Sequence, residues 1–360
     1  MSDAERVYLD HAATTPMLAE ARAAVAAAME GWANPSSPHA DGRRARAAFE
    51  EARRTIADAL RWPHDVILTS GASEAVQIVA ARAKAPRRIV GATEHDAVMA
   101  AMGGEAAVLP VDDNGLIDLQ ALERELAGEP ALVAVQLVNN ETGVIQPVDR
   151  IQAMVADAGS LLLADCAQAA GKIALPEADF IAISGHKFGG PPGVGALLVR
   201  DLGTLEPSGG QERGYRRGTE NWPSVAGMAA ALATGAFSRA MPSLASLRAT
   251  LEDQIVGNGG LVVASGAPRI ATIGAYAMPG VASTSQLVQL DLAGISVSAG
   301  SACSSGSMKP SRVLGAMGLD GDIIGSVIRV SFGPSTSEPE IERFLAEWRH
   351  IKDRANRAVA

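Results

Sequence analysis

Lys187 is the residue whose surroundings point most clearly to chemistry. It follows the apolar run 180–183 and Ser-Gly-His, and the chain then turns through the Gly-Gly-Pro-Pro of residues 189–192. A lysine at the carboxyl edge of a buried strand lies where open α/β sheets collect their ligands. A partly desolvated lysine has a lowered pKa and can form a Schiff base. An ordinary surface lysine after a strand is an equally good interpretation of this segment alone.

Asp165 ends a second apolar run, residues 161–164. A carboxylate at the end of a buried strand is costly unless a cation lies beside it. The protonated ring nitrogen of pyridoxal phosphate (PLP) is such a cation, and a carboxylate keeps it protonated. Asp165 and Lys187 together therefore suggest PLP.

A third segment indicates a phosphate site. The strand pattern 66–69 runs into Ser70-Gly71-Ala72-Ser73, and a helical pattern follows from Glu74. The N–H groups and dipole of a helix N-terminus bind anions. We expect Ser73 to be the N-cap of this helix. Phosphate site, carboxylate and lysine, in this order, fit one cofactor.

Ten stretches along nearly the whole chain carry a family resemblance. They are YLDHAATTP from Tyr8, ANPSSPHADGRRAR, TSGASEA, ATEHDAV, VNNETGVIQPV, ADCAQAAGKI, SGHKFGGPPGVGAL, ERGYRRGTEN, SAGSACSSGSMKPSRVL and IRVSFGPSTSEPEI. In this order they resemble the cysteine desulfurases, which are fold-type-I PLP enzymes related to class V aminotransferases. The long serine-rich stretch after Ser298 resembles the group that includes the nitrogen-fixation and housekeeping iron–sulfur enzymes.

The expected fold is α/β, a mainly parallel sheet covered by helices with a smaller α+β carboxyl-terminal domain. Strands are predicted near 66–69, 88–91, 131–138, 161–165, 179–184 and 195–199, and these near-continuous apolar runs favour a sheet buried on both faces. The pattern changes to α+β from about residue 245. The resemblance implies a large PLP-binding domain over 16–245. It also implies a small domain formed by 1–15 with 246–360, which carries the cysteine loop.

The resemblance assigns roles to individual residues. Cys303, Lys187 and His95 are implied to be catalytic, with His95 stacked on the cofactor ring. The implied cofactor-binding residues are Ala72, Ser73, His95, Asn140, Asp165, Gln168, Ser184, His186, Lys187 and Thr219, and the implied substrate-binding residues are Asn34, Asn140 and Arg329. Thr219 is expected to reach the phosphate held by the neighbouring subunit of a homodimer. Asn140 has a second interpretation, as a turn residue before Glu141.

Arg329 also stands out without the resemblance, because it lies inside the apolar strand pattern 327–330. A buried arginine needs an anionic partner, and its planar fork suits a substrate carboxylate.

The two cysteines, Cys166 and Cys303, compete for the role of nucleophile. Cys166 follows Asp165 at a buried strand end, where the negative charge disfavours a thiolate, so a packing role is expected. Cys303 lies in a stretch of glycine and serine, which favours display on a loop. The resemblance implies that Cys303 is the cysteine that accepts sulfur from L-cysteine as a persulfide. No metal site is predicted, apart from a transient iron–sulfur cluster ligand at Cys303.

Composition limits the functional classes. A net charge of −9 over 360 residues argues against a nucleic-acid surface. Two cysteines suit a reducing compartment, and the amino terminus lacks a signal-peptide pattern, so a cytoplasmic enzyme is expected. The expected partners are L-cysteine, a second copy of the chain, and an iron–sulfur scaffold or other sulfur-acceptor protein. A class V aminotransferase, a selenocysteine or cysteine lyase, and a non-enzymatic PLP-holding scaffold are the alternatives.

Overall fold

Strands form where the sequence has its apolar runs. The computed structural model describes residues 6–31, 33–300 and 310–359. The strands within these residues are β1 (Val7–Tyr8), β2 (Asp65–Thr69), β3 (Arg87–Gly91), β4 (Ala107–Leu109), β5 (Ala131–Gln136), β6 (Leu161–Asp165), β7 (Phe180–Ser184), β8 (Gly195–Val199), β9 (Leu261–Val262), β10 (Ile273–Ala277), β11 (Ile295–Ser296) and β12 (Val327–Ser331).

Helices connect these strands. The helices in the described ranges are α1 (Ala19–Glu30), α2 (Ala40–Ala59), α3 (Ala72–Arg82), α4 (Asp96–Met102), α5 (Leu119–Leu126), α6 (Val148–Asp157), α7 (Trp222–Thr234), α8 (Ala236–Gly257), α9 (Ser283–Leu292), α10 (Arg312–Ala316), α11 (Gly321–Ile324) and α12 (Glu338–Val359). Within the same ranges, no helix combines the length and the apolar character needed to cross a membrane.

Seven of the described strands form one large sheet, in the order β2-β8-β7-β6-β5-β3-β4. The strands from β7 to β4 are parallel, whereas β8 is antiparallel to both of its neighbours, β7 and β2. Because β8 is antiparallel to both of these strands, β2 runs in the same direction as β7. The carboxyl ends of β2, β3, β5, β6 and β7 therefore share one edge, which confirms the predicted mainly parallel sheet.

Strand β7 shows how the core fixes the position of that edge. Ile181 and Ile183 belong to the apolar cluster on one face of the sheet, and Phe180 and Ala182 belong to the cluster on the other. A shift of one residue would exchange the two sets of side chains, so burial on both faces fixes the register. Ser184 is thereby held at the carboxyl end of β7.

A second unit follows the large sheet. Strands β9, β10 and β12 form an antiparallel sheet with β10 in the centre, and β1 pairs in parallel with β11. Its core contains Trp348 and Phe344 of α12, together with Leu9 from the start of the chain. Helix α8 contributes Phe237 to the core of the large unit and Leu244 to that of the small one. The division at residue 245 stays a prediction.

Candidate active site

Lys187 lies just beyond β7, at the end of a single 3-10 turn. Its Nζ donates hydrogen bonds of 2.8 Å to the carbonyl oxygens of Ala12 and Ala13. The Ala12 N–H in turn donates to Ser331 Oγ of β12, at 2.9 Å. The segment after β1 thus holds the lysine amine at the sheet edge and ties it to the small unit.

Asp165 ends β6 beside this lysine. Burial raises the pKa of its carboxyl, while the Ala167 N–H, at 2.9 Å from Oδ1, and the nearby His95 and Lys187 side chains oppose that shift. A cation bound next to Asp165 would complete the stabilisation of its ionised form.

His95 precedes α4 and acts as its N-cap. Its Nδ1 accepts a hydrogen bond from the Ala97 N–H at 3.1 Å. A ring nitrogen that accepts from an amide carries no proton, so the neutral ring is protonated on Nε2. His95 therefore has a defined donor atom at the cavity.

The helix N-terminus predicted from the sequence is present, but Ser73 is not its N-cap. Helix α3 begins at Ala72 and its N-cap is Gly71, without any side-chain capping bond. Gly71 has φ 158°, a conformation that favours glycine. Because α3 starts two residues earlier than expected, Ser73 lies inside its first turn, and the end of the helix opens into the cavity. Such an end attracts an anion.

Glycine is required where the helix end meets the sheet. A Cβ atom at Gly195, the first residue of β8, would lie 2.6 Å from the Cα of Gly71 and 2.4 Å from the carbonyl oxygen of Ile183. Gly195 pairs with both Thr69 and Ser184. The missing side chain lets the α3 terminus approach the end of β7.

His186 lies between Ser184 and Lys187. Burial, and then the charges of Lys187 and Lys172, lower the pKa of His186 to about 4. Its Nδ1 is 3.2 Å from Thr14 Oγ1. The imidazole is therefore neutral at pH 7 and contributes hydrogen bonds rather than charge.

Arg329 is 3% exposed and lies in β12. One of its terminal nitrogens donates to Asp10 Oδ1 at 2.8 Å, and the other to the Asn140 carbonyl oxygen at 3.0 Å. Among the described residues, its Nε is a buried donor without a hydrogen-bond partner. Asp10 also accepts from Ser298 Oγ at 2.8 Å. The guanidinium is thus held at two corners and still has N–H donors that these two bonds do not use.

These groups surround one cavity of about 400 Å³ at the carboxyl edge of the sheet. Of the residues assigned from the sequence, the cavity is lined by Ala72, Ser73, His95, Asn140, Asp165, Gln168, Ser184, His186, Lys187 and Arg329. Asn34 and Thr219 are exposed and do not belong to this lining, and Asn34 Oδ1 accepts from the Ser36 N–H at 2.9 Å. Cys303 lies outside the described residues.

Sequence reasoning missed several parts of the wall. Ala12, Ala13 and Gln136 line the cavity, and Asp10 pairs with Arg329. Gln136 could have been found in the same way as Asp165, because each is a polar residue at the end of a buried strand. The two alanines act through their carbonyl groups, so their side chains gave no signal.

Cys166 is fully buried. Burial, and then the charge of Asp165, raise the pKa of its thiol well above the ordinary value. It therefore stays protonated at neutral pH and is a poor nucleophile, consistent with the expected packing role.

Comparison with known proteins places this site in a family. The model of the family described as Aminotransferase class-V matches residues 7–344. A cysteine desulfurase of Cereibacter sphaeroides is 36% identical over 95% of this chain and 94% of its own. An IscS-like cysteine desulfurase of Mycobacterium tuberculosis is 37% identical over 98% of both chains. A solved NifS-like protein from Rickettsia africae has a TM-score of 0.89 at 28% identity, covering 97% of this chain and 100% of that one. The chain therefore belongs to the class-V aminotransferase family, among the cysteine desulfurases.

Proposed function

We propose that this protein is a PLP-dependent cysteine desulfurase that takes sulfur from L-cysteine, releases L-alanine and keeps the sulfur as a persulfide on Cys303. The observation that carries the proposal is one cavity lined by Lys187, Asp165 and Arg329. An amino acid has a carboxylate for the guanidinium and an amine that can replace a lysine in a Schiff base.

The donor set of the cavity fits PLP. The Asp165 carboxylate, whose pKa burial raises, suits a ring cation, and the α3 terminus, which has no side-chain cap, suits a phosphate. Ser184 and His186 add polar groups next to Lys187, which would carry the covalent link, and Gln168 and His95 line the same cavity. When bound, PLP supplies an electron sink that stabilises negative charge at the substrate Cα.

The residues of the chain would then divide the work. Arg329 binds the substrate carboxylate, with Asn140 of the cavity lining as a supporting polar group. Asn34, which lies outside that lining, has no part in this scheme. The amine of Lys187 removes the Cα proton, and His95 moves protons through Nε2. The Cys303 thiolate attacks the substrate sulfur. As the S–S bond forms, the Cβ–S bond breaks, its electron pair stays on carbon, and a proton completes alanine.

The direct test is the product balance with L-cysteine as the sole substrate. We expect equal amounts of alanine and protein-bound persulfide in the first turnover, measured by amino-acid analysis and by mass spectrometry of the peptide that contains Cys303. A class V aminotransferase would form pyridoxamine phosphate without alanine, and in a separate incubation with alanine it would form pyruvate. A lyase would release sulfide while Cys303 stayed unmodified.

The sulfur acceptor is proposed to be a protein, with an iron–sulfur scaffold as the first candidate. The resemblance of the stretch around Cys303 to the long loops of the iron–sulfur group supports this choice. The net charge of −9 argues against RNA as the recipient.

We also propose a homodimer in which Thr219 completes the phosphate site of the partner subunit. Thr219 is exposed on the surface of a single chain and outside the lining of its own cavity, which suits a group that acts across an interface. Its neighbour Glu220 is buried, so the loop that carries Thr219 is anchored.

Mixing two inactive variants tests the shared site. Thr219→Glu would place a carboxylate against the partner's phosphate, and Lys187→Ala removes the amine. In a mixed dimer, one of the two sites has both Lys187 and Thr219 intact, so random mixing should restore about a quarter of the wild-type sites. Activity is measured after the subunits are exchanged.

Ser243→Glu, an exposed substitution on α8, controls for added surface charge and should stay active. Full activity of Thr219→Glu alone, or a fully active monomer in sedimentation, would exclude the shared site.

A further inference from the structure

Lys172 is a buried lysine that the proposed chemistry leaves without a task. It is 4% exposed and lies in the segment between β6 and β7. Its Nζ donates to Gln168 Oε1 at 3.3 Å and lies 5.0 Å from the centroid of the Phe237 ring. A buried cation is expensive, and an amide oxygen and an aromatic face compensate it only in part. The cost of burying this lysine near the proposed reaction centre suggests that it has a function there.

The contact with Gln168 has a geometric consequence. Gln168 Nε2 donates to the Ala12 carbonyl oxygen at 2.8 Å, and its Oε1 accepts from Lys172. The Ala12 carbonyl oxygen can only accept, so the Gln168 amide cannot exchange its two ends while both contacts hold. Since Gln168 lines the cavity, the second N–H of its Nε2 is the donor that it can offer to a bound ring oxygen.

A chain of contacts continues to the catalytic lysine. The Ala12 carbonyl oxygen that accepts from Gln168 also accepts from Lys187 Nζ, at 2.8 Å. Lys172, Gln168, Ala12 and Lys187 are therefore linked in sequence, with a lysine at each end.

Lys172 can support Gln168 in either protonation state. Burial, and then the charge of Lys187, lower the pKa of Lys172 to about 7. An ammonium group and a neutral amine both carry N–H groups, so the contact with Gln168 Oε1 does not depend on the charge of Lys172.

We infer that Lys172 is a positioning residue of this site, whose N–H holds the amide of Gln168 with its nitrogen toward the cavity. The inference rests on the proposed function for its purpose, but the effect is measurable without turnover.

Three variants serve the test. Lys172→Met removes the donor, and Lys172→Gln, which keeps a donor for Gln168, should bind PLP nearly as tightly as wild type. Lys84→Met, at an exposed lysine, is the matched control. The measurement needs no cysteine, so weakened PLP binding in a Lys172→Met variant of a protein that makes no alanine would refute the proposed function alone. Unchanged PLP binding in Lys172→Met, in a protein that makes alanine, would refute this inference alone.

The orientation effect is tested by a double-mutant cycle on PLP binding. Gln168→Met removes the amide, Lys172→Met removes its support, and the dissociation constant of PLP is measured by fluorescence for both variants and for the double variant. If Lys172 acts through the amide, Lys172→Met should weaken PLP binding less in the Gln168→Met background than in wild type. Equal factors in the two backgrounds would show that Lys172 does not act through Gln168.

Discussion

Cys303→Ala is expected to abolish the formation of alanine from L-cysteine while leaving PLP bound. The substitution removes the thiolate that accepts the substrate sulfur and leaves Lys187, Asp165 and Arg329 of the cavity lining in place. The expected loss is complete within detection, because no other group in the proposed scheme can accept the sulfur. Alanine is measured by amino-acid analysis, and bound cofactor by the visible absorbance of the purified variant.

Cys166→Ala is the matched control, since it removes the other thiol of the chain. That thiol is buried and protonated, so its loss should cost about 1 kcal/mol of stability and leave most of the activity. Equal loss of activity in the two variants would contradict the assignment of Cys303 as the nucleophile.

Lys187→Ala is expected to lower turnover on the order of 10²–10⁴-fold and to remove the covalent link to PLP. The amine that both holds the cofactor and moves the Cα proton is lost, while Asp165 and the α3 terminus remain to bind PLP without a covalent bond. The measurement combines steady-state kinetics with borohydride reduction and mass spectrometry. In wild type the reduced label should lie on Lys187.

Two other lysines are alternative positions for the reduced cofactor label. Lys172 lies in the same region of the fold, linked to Lys187 through Gln168 and Ala12. Lys309 follows Cys303 in the sequence. A label on either residue, or a label that persists in Lys187→Ala, would disprove the assignment.

Much of the fold could be predicted because strands buried on both faces require apolar residues, and apolar runs are visible in the sequence. The six predicted strands of the large sheet are apolar enough to be covered on both faces, and all six form. Strand β4 was missed because it has only three residues and lies at the sheet edge, where little burial is required. The reversed direction of β8 was also not predicted, since strand direction depends on pairing and leaves no mark in residue type.

Residues of the candidate site could be predicted wherever a charged side chain interrupts an apolar strand pattern. Asp165 and Arg329 are charges within apolar strands, and both line the cavity. The position of Ser73 could not be deduced, because the start of α3 depends on the backbone of Gly71, packed against Gly195. The pairing of Asp10 with Arg329 joins residues from opposite ends of the sequence, and one sequence alone contains no signal for such a contact.

The pairing of the first strand with late parts of the chain has a consequence for biosynthesis. Val7 pairs with Ile295, Asp10 bonds to Arg329, and the Ala12 N–H bonds to Ser331. A ribosome releases this segment before its partners, so the segment waits through the synthesis of the intervening chain without its native contacts. The wall formed by Ala12 and Ala13 cannot close around Lys187 before β12 has emerged. Capture of the proposed cofactor in its final pocket therefore follows the emergence of β12, and a nascent chain arrested before β12 should not retain it.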